Sequence, residues 1–117
     1  MANPNIVQVS SILGKTAFLA VTTSAQTLVS GVANKILKIN SVFATNITGT
    51  STHDISVALR RSGVDYYLSY TISVPGDATL VVVSKDTAVY LEENDSLVAL
   101  ASSNSVIHCI ASYEEIA

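Results

Sequence analysis

The chain has 117 residues, a formal net charge of -3 and charged side chains at only 13% of positions. That length suits one domain able to bury a core without metal or disulfide support, and the single cysteine, Cys109, excludes an intrachain disulfide. The acidic balance argues against a nucleic-acid partner, and no uncharged run is apolar over the ~20 residues a membrane-spanning helix needs.

Residues 1–15 alternate polar and apolar positions after Pro4, with Ile6, Val7 and Val9 among them. They read as an N-terminal arm or edge segment ahead of a single domain over 16–117, and an arm of this kind gains order on a neighbouring subunit. The segment lacks the basic start of a signal peptide, and Pro4 and Lys15 interrupt its apolar character. Short β-branched stretches then follow quickly: Thr16 to Thr22, Gln26 to Ser30, Lys35 to Ile47, His53 to Arg61, Val64 to Val74, Ala78 to Ser84, Ala88 to Leu91, Ser96 to Ala101 and Ser105 to Tyr113. Eight or nine short strands with breakers between them predict an all-β fold, an antiparallel β-sandwich. Each glycine, Gly14 included, reads as a turn between strands. Ser62-Gly63 predicts a two-residue hairpin, Ser102 to Asn104 a turn closing the last hairpin, and Asn46 to Thr52 a longer exposed loop.

Two long stretches set the expected core. In the first, Leu37 and Ile39 share one parity and Val42 and Ala44 the other, so a bulge near Asn40-Ser41 is needed, as in strands that pass from one sheet to the other. In the second, Val64, Tyr66, Leu68, Tyr70, Ile72 and Val74 alternate with Asp65, Tyr67, Ser69, Thr71 and Ser73. Unbroken alternation predicts a half-buried strand with Leu68 in the core. After a Pro75-Gly76-Asp77 corner, the continuous run Thr79 to Val83 predicts a strand covered on both faces.

Chemistry-bearing constellations are sparse. His53 and His108 stand in ordinary strand contexts without the strained turn or acid partner of a hydrolytic triad, and no Cys or carboxylate accompanies them at zinc-ligand spacing. Glu92, Glu93 and Asp95 offer oxygen ligands without a calcium-loop pattern, and read as a solvated turn. Isolated glycines do not make a phosphate-binding loop. Cys109 alternates with Ile107 and Ala111, which suits a buried small hydrophobe better than a nucleophile. Arg60 and Arg61 lie across the predicted hairpin from Tyr66 and Tyr67, a setting for cation-π or hydrogen-bonded pairs. No catalytic, cofactor-binding or metal residue is assigned, and the chain is not expected to be an enzyme or to bind a small-molecule substrate.

Charge sign is uneven. Residues 1–61 carry Lys15, Lys35, Lys38, Arg60 and Arg61 against Asp54, a net +4, while residues 62–117 carry Lys85 against eight acidic side chains, a net -7. Such asymmetry suits head-to-tail contacts between copies unless strands of the two halves interleave.

The opening NIVQVSSILGKTAFLAVTTSAQTLV, the middle KILKINSVFATNITGT, the segment TISVPGDATLVVVSKDTAVYLEENDSL and the ending ASYEEIA together resemble small virion structural proteins of tailed bacteriophages, above all those infecting cyanobacteria and other marine bacteria. In those relatives the Leu91-Glu92-Glu93 turn is often followed by glycine; Asn94 stands there in this chain and tolerates the same left-handed backbone. The resemblance implies a jelly-roll-like sandwich that is added to a particle assembled in the cytoplasm of a bacterial host. It implies a head decoration or cement protein, a homotrimer bound to the major capsid protein outside the capsid lattice, with neither nucleic acid nor membrane as partner. The alternative it leaves is a tail, neck or fibre-associated module contacting another tail protein or a host glycan. Candidate interface residues are Asn3, Pro4, Ile6, Val7, Arg60, Arg61 and Tyr67.

Overall fold

The computed structural model describes residues 4, 5, 8 and 10–117, so the expectations for Asn3, Ile6 and Val7 lie outside the described residues. It is an all-β sandwich of two antiparallel sheets. The strands are β1 (Ile12–Ala20), β2 (Gln26–Ser30), β3 (Ile36–Asn46), β4 (His53–Arg61), β5 (Val64–Val74), β6 (Thr79–Val83), β7 (Val89–Leu91), β8 (Ser96–Ala101) and β9 (Ile107–Ile116), with a short 3-10 turn at Lys85–Thr87. One sheet has the order β1, β9, β3, β6, with β7 also on β3; the other has the order β2, β8, β4, β5.

The topology follows from folding one long hairpin. Its tip is the β4–β5 connection, where Ser62 and Gly63 both take positive φ, 54° and 76°, as a two-residue turn matched to strand twist requires. Behind the tip β3 meets β6 and β7, β2 meets β8, and β1 meets β9. Rolling this ribbon over adds the β3–β9 and β4–β8 pairings that complete the sheets. Two sheets made this way form a jelly roll. One consequence corrects an expectation: β8 and β9 lie in different sheets, so Ser102 to Asn104 carries the chain across the sandwich and does not close a hairpin.

The core fills the gap between the sheets with Ile39, Val42, Ile55, Val57, Leu97 and Ile107, all fully buried. In β3 the register against β9 slips between Ile39 and Ser41. The extra residue, Asn40, flips the parity so that Ile39 and Val42 both point inward, as the change of phase demanded. The strand nevertheless stays in one sheet throughout, contrary to the expected crossing, because β9 accompanies it on both sides of the bulge.

Three further expectations are corrected. Gly14 is no turn: it sits inside β1, opposite Glu114, and the strand starts at Ile12 instead of Thr16, so residues 12–15 belong to a sheet edge. Asn46 is the fully buried end of β3, not an exposed loop residue. Its amide donates to the carbonyls of Ser51 and Val74, both at 2.8 Å, and its Oδ1 accepts from Thr48 N–H and Oγ1 at 2.9 and 2.7 Å. All four bonding positions are filled, which removes the penalty for burying the amide and ties the following loop to the end of β5. Gly76 lets that loop approach, since a Cβ there would stand 2.7 Å from the Thr48 carbonyl oxygen.

The third correction is β5. It is the outer strand of its sheet, and of its alternating apolar set only Val74 is buried; Leu68 is 38% exposed and Tyr70 63%. Register slips on either side of Val57 leave Leu68 and the Tyr70-Thr71 pair as bulged residues, and Thr71 takes a positive φ of 46°. The run after the corner is likewise at an edge: β6 has Val81 51% exposed, with Val83 its one buried residue.

Candidate interaction surfaces

Directly opposed residues on antiparallel strands project from the same face, so the register shows which side chains share a surface. Phe18 lies opposite Ile110, Ile110 opposite Phe43, and Phe43 opposite Val81. This row crosses β1, β9, β3 and β6 from edge to edge on the outer face of the sheet. Its members are 82%, 44%, 38% and 51% exposed in that order. Hydroxyl and small side chains and one imidazole flank it: Thr16, Ser112 and Ser41 on one side, Ala20, His108, Thr45 and Thr79 on the other. Beside Phe18 and Ile110 an open depression of about 310 Å³ continues to Ala20 and His108. Four large apolar side chains in one register, with no Lys, Arg, Asp or Glu in either flanking row, form a surface with low desolvation cost on burial.

A second exposed region is the β5 edge. Tyr66 faces the core side opposite Leu59, and Tyr67 the outer side opposite Ala58. The rings of Tyr67 and Tyr70 meet edge to face at 4.6 Å with a 64° interplanar angle, and both remain open to solvent.

The two arginines at the hairpin tip are held by carboxylates. Arg60 faces Asp65 directly and donates to both of its oxygens, at 2.6 and 3.0 Å. Arg61 reaches across to the acidic turn: it donates to the two oxygens of Asp95 at 2.8 and 2.6 Å and to Glu92 at 2.7 Å. The Asp95 carboxylate is buried and also accepts from the Glu92 N–H at 2.9 Å. The Arg61 hydrogen bonds hold it below the usual carboxylate range against the opposing effect of burial. The turn expected to be merely solvated is thus clamped. Asn94 takes φ of 69° within it, and Gly31 packs where a Cβ would come within 2.5 Å of the Glu92 carbonyl oxygen.

A second cluster lies at the same end of the sandwich, beside the start of β3, where Leu37 pairs with both Leu91 and Glu115. Lys15 and Lys35 donate to Glu115 at 2.8 and 2.6 Å, and these hydrogen bonds hold the buried carboxylate below its ordinary value. The uneven charge of the two halves is therefore matched within the chain: cations of residues 1–61 meet anions of residues 62–117 because the halves are the two arms of one ribbon. That pairing replaces the expected head-to-tail attraction.

The remaining sequence candidates stay apart. Pro4 is half-buried. His53 has Ser102 Oγ 3.5 Å from its Nδ1, whereas His108 lies on the outer face of the opposite sheet. Among the described residues no three His, Cys, Asp or Glu side chains gather as metal ligands do. Cys109 is fully buried, and burial pushes its thiol up to about 12, which keeps it protonated and unreactive. The row of Phe18, Ile110, Phe43 and Val81 was missed by sequence reasoning because it is composed of one residue from each of four strands. Comparison with protein-family models, with curated proteins and with solved structures returned no match.

Proposed function

We propose that the chain is a structural component of a tailed-bacteriophage particle, a head decoration or cement protein bound outside the capsid lattice where major capsid subunits meet. The observation that carries this reading is the uncharged apolar row across the outer face of the β1–β9–β3–β6 sheet. A rigid two-layer body that presents such a face needs no cofactor or reaction to do its work. Many copies, each making a modest contact, would brace a shell against the pressure of packaged DNA. The overall resemblance of the sequence to small virion structural proteins supports the same assignment.

The exposed, mutually packed Tyr67 and Tyr70 favour one second reading: a tail, neck or fibre module whose aromatic edge receives a glycan or another tail protein. Counting copies in purified particles separates the two. Copy numbers on the order of hundreds per particle support the head, and about a dozen or fewer the tail; complete absence from particles overturns both. For the head reading, Phe43→Ser combined with Val81→Ser should abolish binding to capsids while the protein stays folded, and binding undiminished by the pair would remove the apolar row from the interface.

A further inference from the structure

Each sheet of an open sandwich has two edges, and an edge strand with unpaired N–H and C=O groups recruits another strand unless it is blunted. Three of the four edges here are blunted. β2 has five residues and a register slip between Thr27 and Val29. β5 has two slips and the left-handed Thr71. The β6 and β7 edge is interrupted by the 3-10 turn at Lys85–Thr87. β1 is different: nine residues pair with β9 in unbroken register, from Ile12 opposite Ile116 to Ala20 opposite His108.

Which groups of β1 face outward follows from the hydrogen bonds at its ends. Ser11 and Ala117 exchange both of their backbone bonds, at 3.1 and 3.0 Å, and Val21 N–H donates to Ile107. Bonded pairs alternate along an antiparallel ladder, so the odd-numbered residues of β1 bond to β9. The N–H and C=O groups of Ile12, Gly14, Thr16, Phe18 and Ala20 point away from the sheet.

We propose that β1 pairs antiparallel with β1 of a second copy, about a two-fold axis through Thr16, joining the two sheets edge to edge. A strand pairing with itself in this way is self-complementary and closes as a dimer. Centring on Thr16 is the register that engages all nine residues, and it matches their side chains. Phe18, the most exposed large apolar residue among the described residues, falls opposite Gly14 of the second copy, where a Cβ would meet nothing within 4 Å. An aromatic ring laid over a cross-strand glycine compensates for its missing side chain. Leu13 falls opposite Leu19, Ile12 opposite Ala20, Lys15 opposite Ala17, and the two Thr16 residues face each other. Sliding to the neighbouring register centred on Lys15 would oppose two ammonium groups, and like charges directly opposite are destabilising. The inference stands apart from the particle reading: it concerns what the chain does with itself, and implies a two-fold pair where the resemblance suggests a trimer.

Sedimentation of the full chain over a concentration series tests it. Wild type should sediment as a dimer. Thr16→Lys and Thr16→Glu should each sediment as folded monomers, with a melting temperature that no longer depends on concentration, since Thr16 lies at the exposed edge, and mixing the two variants should restore the dimer through opposite charges at the axis. A wild type that remains monomeric, an assembly that survives Thr16→Lys, or a mixture that fails to reassociate would each overturn the proposal. Failure here leaves the copy number in particles untouched, so the two readings fall separately.

Discussion

β3 and β5 are both eleven residues long, and their sequences point the wrong way round. β3 loses its alternation half-way, yet it lies in the middle of its sheet with neighbours on both edges and contributes Leu37, Ile39, Val42 and Ala44 to the core. β5 alternates without a fault through Val74, yet it is an edge and keeps most of its apolar side chains in solvent. Alternation reports that a segment is extended. Burial is decided by which strands lie beside it and what the facing sheet covers, and that information belongs to the whole topology.

The contrast can be broken most severely in β3. Ile39→Ala removes a fully buried branched side chain beside the bulge and should destabilise the fold by about 2–5 kcal/mol, through lost transfer energy and the cavity left behind. Urea unfolding measures it. A loss below about 1 kcal/mol would mean that this part of the core collapses to fill the space, and that β3 is not the rigid centre described here.

Next in size is the junction between the two strands. Asn46→Ala at the end of β3 leaves the carbonyl of Val74, at the end of β5, without its donor, and should cost about 1–3 kcal/mol. Because the same amide organises Thr48 and Ser51, hydrogen exchange should quicken through the loop from Ile47 to Thr52 before the rest of the sheet responds. Exchange unchanged in that loop, with stability lost, would assign the cost to packing alone.

The charged clusters around Asp95 and Glu115 provide a pH test. Asp95 and Glu115 are both lowered in the folded state from ordinary values of 3.8 and 4.5. A carboxylate whose folded value is depressed adds stability that is present above its unfolded value and is lost as pH falls through the folded one. Their contribution should therefore be level at neutral pH, begin to fall near 4.5 and disappear progressively below 3.8. Arg61→Leu should destabilise the fold at neutral pH and flatten the acid limb of the profile, because Asp95 then lacks the partner that depressed it. An acid limb as steep in the variant as in wild type would show that Arg61 does not set the Asp95 titration.

Much of the local structure was legible from residue chemistry. Ser62-Gly63 marked the hairpin tip because a two-residue turn needs positive φ at both positions. The change of parity between Ile39 and Val42 required a bulge near Asn40, since no regular strand turns both inward. What escaped detection depended on pairing. Gly14 reads as a turn until β9 lies beside it, and the charge asymmetry suggests contacts between copies until the ribbon brings Lys15 and Lys35 to Glu115. The apolar row exists only once Phe18, Ile110, Phe43 and Val81 are in register, and no window of sequence contains more than one of them. Of the candidate interface residues, Arg60 and Arg61 were read correctly as pairing groups, but with tyrosines as partners; the carboxylates that hold them became visible only when Asp65 and the 92–95 turn were positioned.

The smallest expected effect is the one that sharpens the comparison most. Leu68 has the same alternation signal as a core residue and sits in the middle of its strand, where periodicity alone would predict a loss as large as that of Ile39→Ala. It is instead the extra residue of a register slip, with no partner on β4 between Tyr67 opposite Ala58 and Ser69 opposite Val57, and is 38% exposed. Truncation there opens no enclosed cavity, because solvent already reaches the side chain, so the cavity penalty vanishes and only part of the transfer energy is lost. Leu68→Ala should cost about 1 kcal/mol or less in urea unfolding. A loss comparable to that of Ile39→Ala would place Leu68 inside the sandwich, and with it would go both the bulges of β5 and the argument that this edge is blunted while β1 is not.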